Sequence, residues 1–152
     1  MPADPTPEAY AAYFGHGATI VPAGQYALDD RHAACKSLPT VLDPHLNDYA
    51  ASFPKFIVVR PDLMAKPATA VKLWIYYHEC GHEHLGPDEN KADCYSVTQG
   101  AKEGWLKPDG LDQICNFIAV AQPDAAHPAG PQRCELMRAC YAKAVASSNS
   151  QR

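Results

Sequence analysis

At 152 residues the chain has the size of one domain, and 47% apolar with 20% charged residues is ordinary globular composition, which excludes wholesale disorder. A net charge of -4 without any block of Lys or Arg offers no footprint for nucleic acid or an anionic membrane. No apolar run approaches the roughly 18 residues of a spanning helix, so no membrane span is expected.

The opening stretch MPADPTPEAY has neither the basic start nor the apolar core of a signal peptide. That fits a cytosolic chain, or an exported one whose signal has been removed. Six cysteines (Cys35, Cys80, Cys94, Cys115, Cys134, Cys140) favour disulfides and the second reading, a periplasmic or secreted protein. Buried free thiols in a cytosolic protein are the alternative. A four-cysteine zinc site is disfavoured, because no Cys-x-x-Cys pair occurs. Cys134 and Cys140 point to different sides of one helix and should not bridge each other.

Thr6-Pro7 reads as a helix start and Gly15 as its stop. Residues 18–59 show weak helical periodicity. Two short strands are expected there, Thr40 to Leu42 and Lys55 to Val59, both rich in β-branched or aromatic residues and bounded by prolines. The flanking prolines place the second at a sheet edge. From Pro67 the pattern turns helical, with Val71, Trp74, Ile75, His78, His82 and Leu85 on one stripe. Gly86-Pro87 ends that helix, and Asp88 can cap a second one that runs to about Gly104. A third helix covers Leu111 to Ala121, and a fourth runs from near Pro131 to about Ala146. Short strands followed by helices make the fold α+β, a single domain over 1–152 with residues 1–5 and 147–152 flexible.

The chemistry concentrates in His78-Glu79-Cys80-Gly81-His82. Histidines four apart stack on one helix face and can share one ion, zinc being the usual choice for nitrogen ligands. Glu79 is placed to take a proton from a water at that ion as a carbonyl is attacked. Beyond the turn, Glu89 and Asp93 are again four apart. If the two helices form an antiparallel hairpin, His82 faces Glu89 and His78 faces Asp93, since the residue numbers of both pairs add to the same total. Glu89 then completes a set of two histidines and one carboxylate with a fourth position open, as in catalytic zinc sites. Asp93 accepts the second ring N–H of His78. Asp88 is a rival third ligand, six past His82 as in the HExxHxxGxxH scheme, but Gly86 follows His82 by four where that scheme has three, so Glu89 is preferred. His84 points away from the stripe, and Cys80 points away from the metal face, better placed for a disulfide with Cys94 or a C-terminal cysteine. Tyr76, Tyr77 and Tyr95 are candidate hydrogen-bond donors or core residues; His16, His32 and His45 have no partner at ligand spacing.

HExxH followed by ExxxD, here with the form E-x-x-A-D, resembles the gluzincin metallopeptidases, the group that includes thermolysin and the HtpX-type peptidases. The resemblance implies a small zincin-like domain in which Glu79 is the base, Glu89 the third zinc ligand and Asp93 a partner behind the ligands. It also implies an edge strand along which a peptide or protein substrate lies. Phe56, Ile57 and Val58 would fill that place. His127-Pro128 and Arg133 look like the His-Pro...Arg stretch of HtpX-like sequences, which makes His127 a second catalytic candidate near the substrate carbonyl. The expected function is a zinc peptidase; the alternative is a non-catalytic zincin-fold binding or scaffold module stapled by disulfides.

Overall fold

The computed structural model describes residues 5–13, 17–120 and 129–150. In chain order it has α1 (Pro7–Tyr13), β1 (Thr19–Val21), β2 (Ala27–Leu28), β3 (Arg31–His32), β4 (Thr40–Leu42), β5 (Ala50–Phe53) and β6 (Phe56–Val59). There follow α2 (Pro61–Met64), α3 (Thr69–Leu85), α4 (Glu89–Glu103), α5 (Pro108–Ala119) and α6 (Gly130–Ser150). The fold is mixed α+β, with small sheets ahead of a helical half. None of the described helices is long and apolar enough to cross a membrane.

One sheet has the order β1-β4-β6-β5, with β4 and β6 parallel and the outer pairs antiparallel. β2 and β3 form a separate hairpin. The run that the flanking prolines assign to an edge is therefore interior: β6 lies between β4 and β5, and Phe56, Ile57, Val58 and Val59 are all fully buried. The physical reason lies in the run itself. Four consecutive apolar residues suit a strand covered on both faces. Val58 and Phe56 pack with Tyr10 of α1 and Val41, while Ile57 and Val59 join the main core beneath α3. The prolines stand outside the strand. Pro54 sits in the turn from β5, where Lys55 takes a positive φ of 74°, and Pro61 opens α2.

α3 is the central element. Expected to bury one stripe, it is buried on almost every side from Val71 to Gly81, because the sheet, α4 and α5 surround it. Even Lys72 is buried, with its Nζ donating to Asp29 at 2.7 Å. Gly86 and Asp88 behave as the sequence predicts. The helix ends at Gly86 with φ 88°, and the Asp88 carboxylate accepts the Lys91 N–H at 3.0 Å to cap α4. α5 starts three residues before the expected Leu111. α6 continues past the expected end near Ala146 to Ser150. Gly15 lies outside the described residues.

Three disulfides tie these pieces together: Cys35–Cys80, Cys94–Cys140 and Cys115–Cys134. Cys134 and Cys140 do not pair with each other, as their helical spacing requires. The expected partners of Cys80 are corrected. It faces the segment after β3 and bonds Cys35, whereas Cys94 faces α6. The cross-links span 45, 46 and 19 residues. Loops of that size restrict the unfolded chain by about 3–4 kcal/mol each on a chain-entropy account.

Candidate metal centre

The two helices that bear the motif approach at Gly81. A Cβ added there would stand 2.9 Å from the Ala92 Cα and 3.1 Å from its carbonyl oxygen, so only glycine allows this contact. The alanine of E-x-x-A-D supplies the other half of the close approach. This contact sets the hairpin register, and the expected facing pairs both form.

His78 Nδ1–H donates to Asp93 Oδ1 at 2.8 Å, and His82 Nδ1–H donates to the Gly86 carbonyl at 2.9 Å. Asp93, as a carboxylate, and Gly86, through its carbonyl, can only accept, so both rings carry their hydrogen on Nδ1. Both Nε2 atoms then turn to one oxygen: Glu89 Oε1 lies 2.8 Å from that of His78 and 3.0 Å from that of His82. In neutral imidazoles those Nε2 atoms are bare lone pairs aimed at a carboxylate oxygen. Two extra protons would satisfy the arrangement, and so would one divalent cation. The ligand atoms of the three residues lie within 4.8 Å of one another. Tetrahedral zinc with bonds of about 2.0–2.1 Å sets its ligand atoms about 3.3 Å apart, and Glu89 Oε1 stands a few tenths of an ångström inside that separation from each Nε2. The donor set fits the ion.

The electrostatics follow from burial and carboxylates. Burial opposes the charged form of His78, but Asp93 and Glu89 outweigh it and raise its pKa to about 9. Burial pushes Glu79 up to about 7, against the pull of His78 and His82. Burial would raise Asp93 too, yet hydrogen bonds from His78 and Arg133 reverse the direction and hold it below the usual carboxylate range.

A cleft of about 560 Å³ opens beside these residues, lined by His78, Glu79, His82 and Glu89 on one wall and by β5 with Asp48 and Pro54 on the other. Ile57 N–H donates to Pro39 and Val59 C=O accepts from Asp43, so these β6 residues turn their backbone toward β4. Phe56 and Val58 are left to pair with Phe53 and Ala51. By alternation, the N–H and C=O groups of Ala50 and Ser52 point away from β6; Ala50 is buried, and Ser52 is the half-buried one of the two on the cleft. The edge strand expected at Phe56, Ile57 and Val58 is thus β5, and those three residues touch no part of the cleft. Glu83 fastens β5 to α3 by accepting from the Ser52 hydroxyl and, at 3.2 Å, from the Lys55 N–H.

Other candidates fall elsewhere. Asp88 is spent as a cap. His84 stands over Tyr95 and beside the Cys35–Cys80 disulfide, remote from the two-histidine set. Tyr76 and Tyr77 are core, and Tyr95 contacts Cys80 Sγ at 3.7 Å. His32 Nδ1 bonds the Gly24 carbonyl at 3.0 Å, and His45 is exposed. His127 and His16 lie outside the described residues. The sequence reading missed β5, Asp48 and Glu83. For β5 the stretch AASF carries little strand propensity, and for the acids no spacing signal exists. Compared with protein-family models, curated proteins and solved structures, the chain gives no match to any of them.

Proposed function

We propose that the protein is a zinc-dependent peptidase of the gluzincin kind, acting in the periplasm or outside the cell. The observation that carries this reading is the convergence of His78 Nε2, His82 Nε2 and Glu89 Oε1 beside a cleft that Glu79 lines. His78, His82 and Glu89 would hold the ion. Bound zinc would supply Lewis acidity, which lowers the pKa of a water toward neutrality and polarises a carbonyl.

The chain's own residues supply the rest. Glu79 accepts a proton from the attacking water and returns it to the leaving amine, and its burial favours the proton-holding form between the two transfers. Asp93 and the Gly86 carbonyl fix the tautomers that aim both Nε2 atoms into the site. The outward backbone groups of Ser52 would pair with an extended peptide, which would add a strand to β5. Small side chains there leave the substrate's main chain room to approach.

The scaffold alternative needs a closed site. Among the described residues no fourth ligand-type side chain joins the three, and a purely structural ion has no use for Glu79. The three disulfides agree with an oxidising compartment. The test is elemental analysis of the purified protein together with cleavage of an unfolded protein substrate. Stoichiometric zinc and chelator-sensitive cleavage are expected. A metal-replete protein that cleaves none of a broad peptide library would refute the enzymatic reading.

A further inference from the structure

Arg133 lies in the first turn of α6 and lines no part of the cleft. Its Nε donates to Asp93 Oδ2 at 2.9 Å and its Nη2 to Asp93 Oδ1 at 3.1 Å. That second oxygen is the one that accepts His78 Nδ1–H. Asp93 is fully buried and Arg133 is 8% exposed, so the pair is shielded from water. The guanidinium also sits 5.4 Å from the centroid of the Trp74 ring, whose own centroid is 6.0 Å from that of His78. Arg133 therefore touches both the acceptor and a packing neighbour that fix the His78 ring. The planar fork is suited to this, because it holds both carboxylate oxygens at once, as a lysine cannot.

Arg133 is itself fixed by its chain neighbours. Cys134, the next residue, is bonded to Cys115 of α5. Gly130, three residues earlier, approaches the Ile118 carbonyl so closely that a Cβ would stand 2.2 Å from its oxygen. The first turn of α6 is thereby pinned to α5 on both sides of the arginine.

We propose that Arg133 is a positioning residue for the metal centre, held against Asp93 by the Cys115–Cys134 disulfide, so that ion affinity depends on a residue and a cross-link outside the cleft. This rests on the reading of His78, His82 and Glu89 as ligands. Asp93 keeps one carboxylate oxygen under the His78 ring only while the arginine holds the carboxylate in plane. Without the fork the carboxylate can rotate, and His78 loses both its orientation and part of its basicity toward an ion.

The test is zinc affinity by competition with a chromophoric chelator, for wild type, R133Q, R133K and C115S/C134S, with folding verified by circular dichroism at the same temperature. Loss of a partner behind a metal ligand typically costs about 10- to 100-fold in affinity. R133Q is expected near the lower bound, about tenfold, with R133K recovering part and C115S/C134S weaker than wild type by about threefold. The visible bands of the cobalt-substituted protein should shift in R133Q, which a purely structural role would not produce. Folded R133Q with wild-type affinity and spectrum overturns the role of the arginine; folded C115S/C134S with wild-type affinity overturns that of the disulfide. Should R133Q fail to fold, D93N/R133Q removes both buried charges and carries the same expectation of about tenfold weaker binding. Wild-type affinity in that variant refutes the proposal. A wild-type protein that takes up no zinc instead overturns the ligand set itself, and this inference with it.

Discussion

The two walls of the cleft are built on opposite plans. The helical wall works through side chains: His78, Glu79, His82 and Glu89 are aimed by helix register, by the Gly81–Ala92 contact and by Asp93 behind them. The β5 wall offers the outward backbone of Ser52 among small side chains, fastened to α3 through Glu83. Under the proposed function, bond-breaking would fall to one wall and main-chain binding to the other. Substitutions on the helical wall should then act on kcat and metal, and those on β5 on KM.

The largest effect is expected at Glu79. E79Q keeps the shape of the side chain and removes its proton-accepting role, so kcat should fall by about 10²–10⁴-fold while zinc content stays stoichiometric. Cleavage kinetics with elemental analysis of the same sample decide this. Hydrolysis unchanged in E79Q removes the carboxylate from the mechanism.

Next comes the hairpin itself. G81V forces methyl groups against the Ala92 backbone, where even a single Cβ is too close, so α3 and α4 must separate. Overpacking of this kind costs about 1–3 kcal/mol, and the separation also pulls Glu89 away from both histidines. A lowered Tm together with loss of zinc is expected. Full zinc affinity in folded G81V would show that the register does not depend on this contact.

A smaller and more selective effect belongs to β5. S52P removes an N–H that faces the cleft, at an edge position where proline is tolerated. One lost hydrogen bond of about 0.5–1.5 kcal/mol corresponds to KM rising by about two- to tenfold, with kcat little changed. S52A, which loses only the hydroxyl bond to Glu83, serves as the control. If S52P lowers kcat and leaves KM alone, the division between the walls fails.

The same contrast explains what could be read in the sequence. The helical wall was legible because α-helical spacing relates residues four apart, and a short turn capped by Asp88 leaves one antiparallel register. His78, His82, Glu89 and Asp93 met as expected for that reason. The sheet was not, since whether KFIVV is an edge or an interior strand depends on what lies beyond it, and AASF gives no pattern that announces β5. Disulfide partners and the Arg133–Asp93 bond, 40 residues apart, are properties of packing that no local pattern encodes.

The mildest probe of the helical wall is pH. With its pKa raised from 6.5 to about 9, His78 holds its proton more tightly in the folded, metal-free chain than in the unfolded one. The stability this contributes is complete below pH 6.5 and is lost as pH rises through 9. Glu79, raised from 4.5 to about 7, adds a loss of the same sign over its own lower window. Zinc must displace the His78 proton to reach Nε2, so binding near pH 7 should release about one proton or more, with less released above pH 9. Accordingly the Tm of the metal-free protein should fall from pH 6.5 to 9.5, while the rise in Tm that zinc produces grows over the same interval. Calorimetric titration in buffers of different ionisation enthalpy counts the protons directly. Zinc binding at pH 7 with no proton release would mean that the metal-free protein does not hold His78 protonated between Asp93 and Glu89.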